Sequence, residues 1–291
     1  MVSSPTLRGV TSKTVQLEDE LGDVLEKAMH QAGLNEVALA ARAGLAAGRI
    51  RDAVDYRPDF TVDELRRLAL VLGLNEVGFC ALGCGRYPQP EIQTLPFSVW
   101  PLRMSHGIGV TNAYVVAETG SDRGLLFDTG AGIEALERSW PKEIVHLDAV
   151  FLTHVEAEHV GGLCAVVKRF GGISAFVPRA ASAPCGRGMG EGEKKIFGAL
   201  EVTAFNTPGH SAAHNCYLVH VAPELRTNGA LLISGDLVFA GSAGGGYFCC
   251  RQLQANVRRV LEAVPPGTVI APGHGPLTTA ENELRYNPFV V

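Results

Sequence analysis

The sequence predicts an α/β protein preceded by a small all-helical region. From Leu17 to about Leu82 the apolar residues recur at helical spacing, whereas the later apolar runs are short, rich in Val, Ile, Leu and Phe, and bounded by turn residues. The proline-containing segment "CGRYPQPEIQ" separates the two patterns. The predicted parts are an N-terminal tail at 1–16, a helical domain at 17–85, a linker at 86–94 and an α/β domain at 95–291.

The composition is that of a globular protein. Hydrophobic residues make up 46% and charged residues 19% of the 291 positions, which suffices for a substantial core. The N-terminus lacks the apolar stretch of a secretion signal, and no apolar run reaches the ~18 to 20 residues that span a bilayer. The seven cysteines form no disulfide framework of the secreted type. We therefore expect a cytoplasmic protein with no membrane partner.

The helical region contains two predicted helices joined by a tight turn at Gly44, in "NEVALAARAGLAAGRIRDAVD". Together with "TVDELRRLALVLGL", they resemble the helix-turn-helix of phage-repressor-type regulators. The helix that would read DNA offers Arg49 and Arg51 but otherwise mainly small residues, and the region carries more acidic than basic side chains. DNA binding therefore stays an alternative, and we rank docking or homodimerisation through this region above it.

The α/β domain is predicted from strand-like runs that alternate with a few helical ones, which is typical of this fold class. The predicted strands are "NAYVVAE", "GLLFDTG", "LDAVFLTH", "ISAFVP", "LEVTAFNT", "CYLVHV", "ALLISGD" and "TVIAPGHG". The predicted helices are "GIEALERSW", "GGLCAVVKRF" and "LQANVRRVLEAV".

Histidines and carboxylates follow several of these strands directly. The stretch "FLTHVEAEHVGG" at 151–162 holds two histidines and two glutamates within six positions, and "TPGHS", "LISGDLVF" and "APGHG" each place one such residue after a strand. Imidazole and carboxylate groups are the usual ligands of divalent transition metals, so their recurrence at strand ends predicts a metal site. The candidate ligands are His154, Glu156, Glu158, His159, His210, Asp236 and His274.

The motifs "THVEAEH", "TPGHS", "SGDLVFAGS", "PGHG" and "ELRYNPF" resemble, in this order, those of the metallo-β-lactamase superfamily, and within it the glyoxalase-II-like hydrolases. The resemblance covers about residues 95–291. It implies a four-layer αβ/βα sandwich with two divalent metal ions in a cleft at one edge of the two sheets. The ions implied are zinc or iron, with manganese as a third option.

The resemblance also implies a role for each candidate. His154, Glu156 and His210 are expected to bind the first ion, Glu158, His159 and His274 the second, and Asp236 both. Asp128 is expected to hold a ligand histidine in its tautomer. His106 and His214 are interpreted as structural or cleft-lining residues.

Two positions depart from the family pattern H-x-H-x-D-H. Glu156 replaces the second histidine, and the added negative charge favours iron or manganese over zinc. The same replacement resembles the flavodiiron-type members of the superfamily. Glu158 replaces the aspartate, and its extra methylene shifts the carboxylate by far more than the tolerance of about 0.2 Å for metal ligands. A weakened or missing second site is therefore an alternative.

The reaction that fits an intact pair is hydrolysis of an ester, thioester or lactone in a small-molecule substrate. A hydroxide that bridges the ions is the expected nucleophile, because bound cations lower the pKa of water from ~15.7 to about 7. Asp236 and Glu158 are the expected catalytic residues, with Asp236 as bridge and proton acceptor. Two other functions stay open: a flavodiiron-like oxidoreductase, and a catalytically weak sensor that binds a metabolite.

Overall fold

The computed structural model describes residues 16–107, 109–223 and 229–291, so residues 1–15 of the predicted tail lie outside it. A group of helices comes first, followed by two six-stranded sheets that pack face to face. Further helices cover the outer face of each sheet. The predicted αβ/βα sandwich with a preceding helical region is therefore confirmed.

The helical region has clear start and stop signals. Its helices are α1 (Leu21–Ala32), α2 (Glu36–Ala43), α3 (Ala47–Val54), α4 (Val62–Leu72) and α5 (Glu76–Gly83). The side chains of Asn35, Thr61 and Asn75 accept backbone N–H groups at the starts of α2, α4 and α5. Gly44 and Gly73 end α2 and α4 in the left-handed conformation that glycine adopts without strain. The predicted domain boundaries around this region remain predictions.

The first sheet has its strands in chain order. These are β1 (Phe97–His106), β2 (Gly109–Glu118), β3 (Arg123–Phe127), β4 (His146–Phe151), β5 (Ser174–Pro178) and β6 (Arg187–Met189). Strand β2 runs antiparallel to its neighbours β1 and β3, and β3 to β6 are parallel. The accompanying helices are α6 (Ile133–Ser139), α7 (Ala157–Val160) and α8 (Leu163–Arg169).

The second sheet has the order β14, β13, β10, β9, β8, β7. Its strands are β7 (Lys194–Phe197), β8 (Leu200–Asn206), β9 (Asn215–Val221), β10 (Ala230–Gly235), β13 (Val269–Pro272) and β14 (Thr278–Thr279). A small hairpin, β11 (Val238–Phe239) with β12 (Ser242–Ala243), lies between β10 and the helix α9 (Cys250–Ala263), and α10 (Ala280–Tyr286) follows β14.

Each predicted strand and helix of the α/β domain corresponds to one of these elements. The long edge strand β1 was not predicted, nor were the short elements β6, β7, β11, β12, β14, α7 and α10. The buried positions of β1 are Phe97, Val99, Leu102 and Met104, so the alternation changes phase around Pro101. A proline in a strand is typical of a sheet edge, where one N–H needs no partner. Within the ranges that the structure describes, no helix has the length and apolarity needed to cross a membrane.

The two sheets enclose an aromatic and aliphatic core. Phe127 and Phe151 stack with their ring centroids 5.1 Å apart, and Tyr217 of the second sheet packs edge-on against Phe151. Leu136 and Leu163 join the outer face of the first sheet to α6 and α8. Because β4 and β10 run through the middle of these layers, the chain segments at their ends are fixed by buried packing.

The helical region shares a core with the second sheet and its helices. Leu25 and Phe79 belong to the same buried cluster as Leu253 of α9. The backbone N–H of Asn75 donates to the carbonyl oxygen of Pro288 at 2.8 Å. The helical region is therefore packed against the α/β layers.

The outer helix α3 presents its arginines already paired with acidic side chains. Arg49 forms an ion pair with Glu64, and Nε of Arg51 lies 3.2 Å from a carboxylate oxygen of Glu36. Each carboxylate offsets the attraction of its arginine for a phosphate group, which is the main source of sequence-independent affinity for DNA.

We expect the full-length protein to bind duplex DNA no more tightly than the ~10⁻⁴ to 10⁻⁶ M typical of nonspecific contacts. Fluorescence anisotropy with random-sequence duplexes at low and moderate salt measures this. Glu36→Gln is the matched variant, since it removes the carboxylate beside Arg51 and should strengthen any residual binding. Nanomolar, salt-sensitive binding of one duplex sequence by the unmodified protein would contradict the prediction.

Candidate metal centre

Five side chains from separate segments meet at one edge of the two sheets. His154 follows β4, and His159 belongs to the short helix α7 that comes next. His210 lies between β8 and β9, Asp236 follows β10, and His274 follows β13. Because these strands end at the same edge of the sandwich, residues far apart in the chain are brought together.

The five side chains form two groups that share one carboxylate. In the group of His154, His210 and Asp236, the potential ligand atoms all lie within 4.8 Å of one another. The same holds for the group of His159, Asp236 and His274. Two adjacent cation positions with Asp236 between them are the arrangement that these distances allow.

Each of the four histidines has its Nδ1 atom next to a fixed oxygen. The contacts are His154 to Thr153 Oγ1 at 2.9 Å, His159 to Asp128 Oδ2 at 3.0 Å, His210 to the Gly245 carbonyl at 3.0 Å and His274 to the Val110 carbonyl at 3.0 Å. Carbonyl and carboxylate oxygens only accept, so these Nδ1 atoms donate a proton. In the neutral ring, Nε2 is then left with a lone pair for a metal ion.

The tautomer of His154 follows from the hydrogen bonds of Thr153 and Asp128. The Thr153 hydroxyl donates to Oδ2 of Asp128 at 2.8 Å, so it can only accept at the contact with His154. Asp128 also accepts the backbone N–H of Thr153 at 2.8 Å. One buried aspartate thus orients His159 directly and His154 through Thr153.

Several atoms of the centre are buried without a partner. Among the described residues, Nε2 of His154, Nε2 of His159 and Oδ1 of Asp236 form no hydrogen bond. Nε2 of His210 likewise forms none, although Oε1 of Glu156 lies 2.9 Å away. A buried polar atom without a partner costs about 1–3 kcal/mol, so such atoms gathered in one place indicate a ligand. Imidazole nitrogens with a shared carboxylate fit a divalent transition metal.

Burial and charge set the protonation of the centre. Burial is the largest cause that holds the pKa of His154 well below its ordinary value, so this ring is neutral. Burial alone would raise the pKa of Asp236, but His159 and the hydrogen-bonding His274 outweigh it and hold that pKa well below its usual range. Asp236 in turn raises the pKa of both His159 and His274. The centre therefore offers an ionised bridging carboxylate.

The two glutamates lie at the rim of the centre and outside both groups. Glu156 precedes α7, and 38% of its side chain is exposed beside His210. Oε2 of Glu158 lies 3.9 Å from Nε2 of His106, next to the turn between β1 and β2. The metal-ligand roles expected for both glutamates remain predictions.

Thr153 and Glu18 were not named as residues of the centre, and His214 was interpreted as structural or cleft-lining. Thr153 opens the motif "THVEAEH", but the motif does not show its contact with His154. His214 is fully buried, and its Nε2 accepts the backbone N–H of Asp236 at 3.2 Å, in keeping with a structural role. Oε1 of Glu18 lies 3.7 Å from Nδ1 of His274, a contact across most of the chain that no local pattern indicates.

A sandwich of this architecture, with histidines and a shared aspartate at one sheet edge, defines a class of metal-binding α/β proteins. The sequence profile of the metallo-beta-lactamase superfamily matches residues 106–286, and the chain belongs to this superfamily. The helices α1 to α5 precede the matched residues.

Relatives and solved structures agree with this family. An uncharacterized protein of Aquifex aeolicus is 30% identical over 61% of the chain and 90% of its own length. Hydroxyacylglutathione hydrolase of Citrobacter koseri is 26% identical to the chain. The alignment covers 55% of the chain and 60% of that enzyme. BLEG-1 B3 metallo-beta-lactamase is 27% identical over 65% of the chain and 98% of its own, with a TM-score of 0.52. TTHA1623 in a di-iron-bound form is 27% identical over 64% of the chain and 98% of its own, with a TM-score of 0.50.

Proposed function

We propose that the protein is a metal-dependent hydrolase that cleaves an ester, thioester or lactone at a dinuclear centre. The observation that carries the proposal is the pair of ligand groups that share Asp236, with unpartnered nitrogen atoms directed at a common space. His154 and His210 would hold one ion, His159 and His274 the other, and Asp236 both.

Divalent ions supply Lewis acidity and make bound water acidic enough to ionise near neutral pH. The chain's own residues prepare the site for this chemistry. Asp128 fixes the direction in which His159 presents its lone pair, and the Gly245 and Val110 carbonyls do so for His210 and His274. Asp236 stays ionised, so its carboxylate is available to both ligand groups.

The relatives support a hydrolase in general terms. Hydroxyacylglutathione hydrolase is a hydrolase by name, and this chain shares its family but spans 60% of its length. The di-iron-bound form of TTHA1623 and the two rim glutamates together support iron as a candidate metal. The Glu156 carboxylate beside His210 also favours a second candidate function, a diiron oxidoreductase.

Metal analysis combined with a substrate panel tests the proposal. The full-length protein, grown with zinc, iron or manganese, is analysed for metal content and assayed on p-nitrophenyl esters, acyl thioesters and lactones. We expect about two ions per chain, hydrolysis of at least one class, loss of activity with a chelator and recovery on metal addition. The proposal would be overturned if hydrolysis continued after complete metal removal, or if the protein with two bound ions hydrolysed no substrate of the panel. Oxygen consumption with a chemical reductant would support the oxidoreductase instead.

The two rim glutamates should control metal identity and occupancy. Glu156→His should shift preference from iron or manganese toward zinc, because imidazole suits zinc and removes one negative charge. Glu158→Asp should preserve two ions if the loop already accommodates the longer side chain, and raise occupancy toward two if it does not. Metal content of both variants after growth with each metal is the measurement. If Glu156→His leaves the metal preference unchanged, Glu156 is not a ligand. If the unmodified protein holds fewer than two ions and Glu158→Asp does not raise that number, Glu158 is not a ligand.

A further inference from the structure

The N-terminal helical region reaches the rim of the metal centre. The chain approaches His274 just before α1: a Cβ atom added to Gly275 would lie 3.1 Å from the backbone nitrogen of Glu18. Oε1 of Glu18 lies 3.7 Å from Nδ1 of His274. The side chain of Glu18 is 30% exposed, so its carboxylate contacts both the centre and the solvent. A residue outside the family match is therefore next to a candidate metal ligand.

Buried contacts hold this segment in place. Asp19 is 8% exposed, pairs with Lys27 and accepts a hydrogen bond from the Ser242 hydroxyl. Nζ of Lys27 also donates to the Ala243 carbonyl at 2.8 Å. Because Asp19 and Lys27 anchor the start of α1 to the hairpin that follows Asp236, the position of Glu18 is set by the fold.

The remainder of α1 continues along the same side of the sandwich. Nζ of Lys27 lies 5.3 Å from the centroid of the Phe239 ring, which itself is 5.6 Å from the His274 ring. Farther along the helix, the side chain of Gln31 accepts a hydrogen bond from that of Gln254 at 2.8 Å. Helix α1 thus packs beside Phe239, which contacts His274, and beside helix α9.

The rim of the cleft is rich in negative charge. Three partly exposed carboxylates surround the centre: Glu18 on the α1 side, Glu156 beside His210 and Glu158 near His106. The nearby cation Lys27 is already paired with Asp19. Glu18 is the rim carboxylate outside the proposed ligand set, so bound metal ions would not take up its charge directly. A negative charge on a substrate beside Glu18 would meet repulsion, whereas a neutral or cationic group would not.

We propose that the segment before α1 forms part of the substrate cleft and that Glu18 is a specificity residue that disfavours anionic substrates. The preferred substrates are then neutral or cationic esters, thioesters or lactones, which rests on the proposed hydrolase function. The helical region then acts within its own chain as a wall of the site.

Substrates with the same acyl chain and differently charged ends test the inference. The p-nitrophenyl monoester of succinate, the butyrate ester and the 4-trimethylammoniobutyrate ester share an acyl length but carry negative, zero and positive charge. Assays run at about pH 8, well above the ordinary carboxyl range. We expect kcat/KM to be lowest for the anionic ester. Glu18→Gln should raise that value roughly three- to tenfold and leave the neutral ester within about twofold.

Control variants and a binding measurement separate the possible failures. Glu26→Gln neutralises an exposed carboxylate elsewhere on α1 and should change none of the three values. Calorimetry with the corresponding N-methyl amides, which resist hydrolysis, measures charge preference without turnover. If no ester is hydrolysed, the hydrolase proposal fails. If the anionic amide still binds more weakly than the others and Glu18→Gln removes this difference, the specificity role of Glu18 is retained. Equal effects of Glu18→Gln and Glu26→Gln, or no charge preference in either measurement, would overturn the inference.

Discussion

Replacement of Asp236 by alanine is expected to empty both metal positions at once. Asp236 is the residue common to the two ligand groups, so its loss removes a ligand from each. Mutation of residues that merely orient a ligand typically costs about 10- to 100-fold in metal affinity or activity, so loss of a shared ligand should cost more than about 100-fold. Metal content by mass spectrometry and kcat/KM on the best substrate of the panel are the measurements.

Two further variants show whether Asp236 is shared. His154→Ala removes a ligand from one group only and should lower metal content by about one ion per chain, with the group of His159 and His274 intact. Asp59→Ala removes an exposed carboxylate of the helical region and should leave two ions bound. If Asp236→Ala retained two ions, or lost no more metal than His154→Ala, Asp236 would not bridge the centre.

The largest effect on stability is expected for Gly78→Ala. A Cβ atom at Gly78 in α5 would lie 1.5 Å from the carbonyl oxygen of Tyr286, at the contact between the helical region and the C-terminal segment. A backbone group cannot rotate away as a flexible side chain can, so the two elements must separate. Overpacking of this kind costs about 1–3 kcal/mol, and a shift of the midpoint in urea denaturation measures it.

Gly48→Ala is the matched control in α3. A Cβ atom at Gly48 has no heavy atom within 4 Å, so the substitution should stabilise the helix by up to about 1 kcal/mol through alanine's higher helix propensity. The two glycine substitutions should therefore shift the midpoint in opposite directions. Equal midpoints for Gly78→Ala and the unmodified protein would mean that α5 does not pack on the C-terminal segment as described.

Local patterns along the chain were sufficient for the fold class and for most candidate residues of the centre. Apolar spacing distinguished the helices from the strands because buried residues recur about every 3.6 positions in a helix and every second position in a strand. The histidines and Asp236 could be named because each lies in the segment that comes after a buried strand, within a motif that resembles those of the superfamily. Strand β1 was not predicted because the alternation of buried and exposed residues changes phase at Pro101.

Only the tertiary structure decided how those ligands are held and what surrounds them. The acceptors that orient His210 and His274 are main-chain carbonyls of Gly245 and Val110, and a carbonyl has no sequence signature. The positions of Glu156 and Glu158 relative to the two ligand groups depend on how α7 packs, which the spacing of the two glutamates in the sequence does not determine. Glu18 meets His274 because the helical region shares a buried core with the second sheet and its helices. Contacts between residues so far apart in the chain arise from packing between layers, and a linear pattern cannot show them.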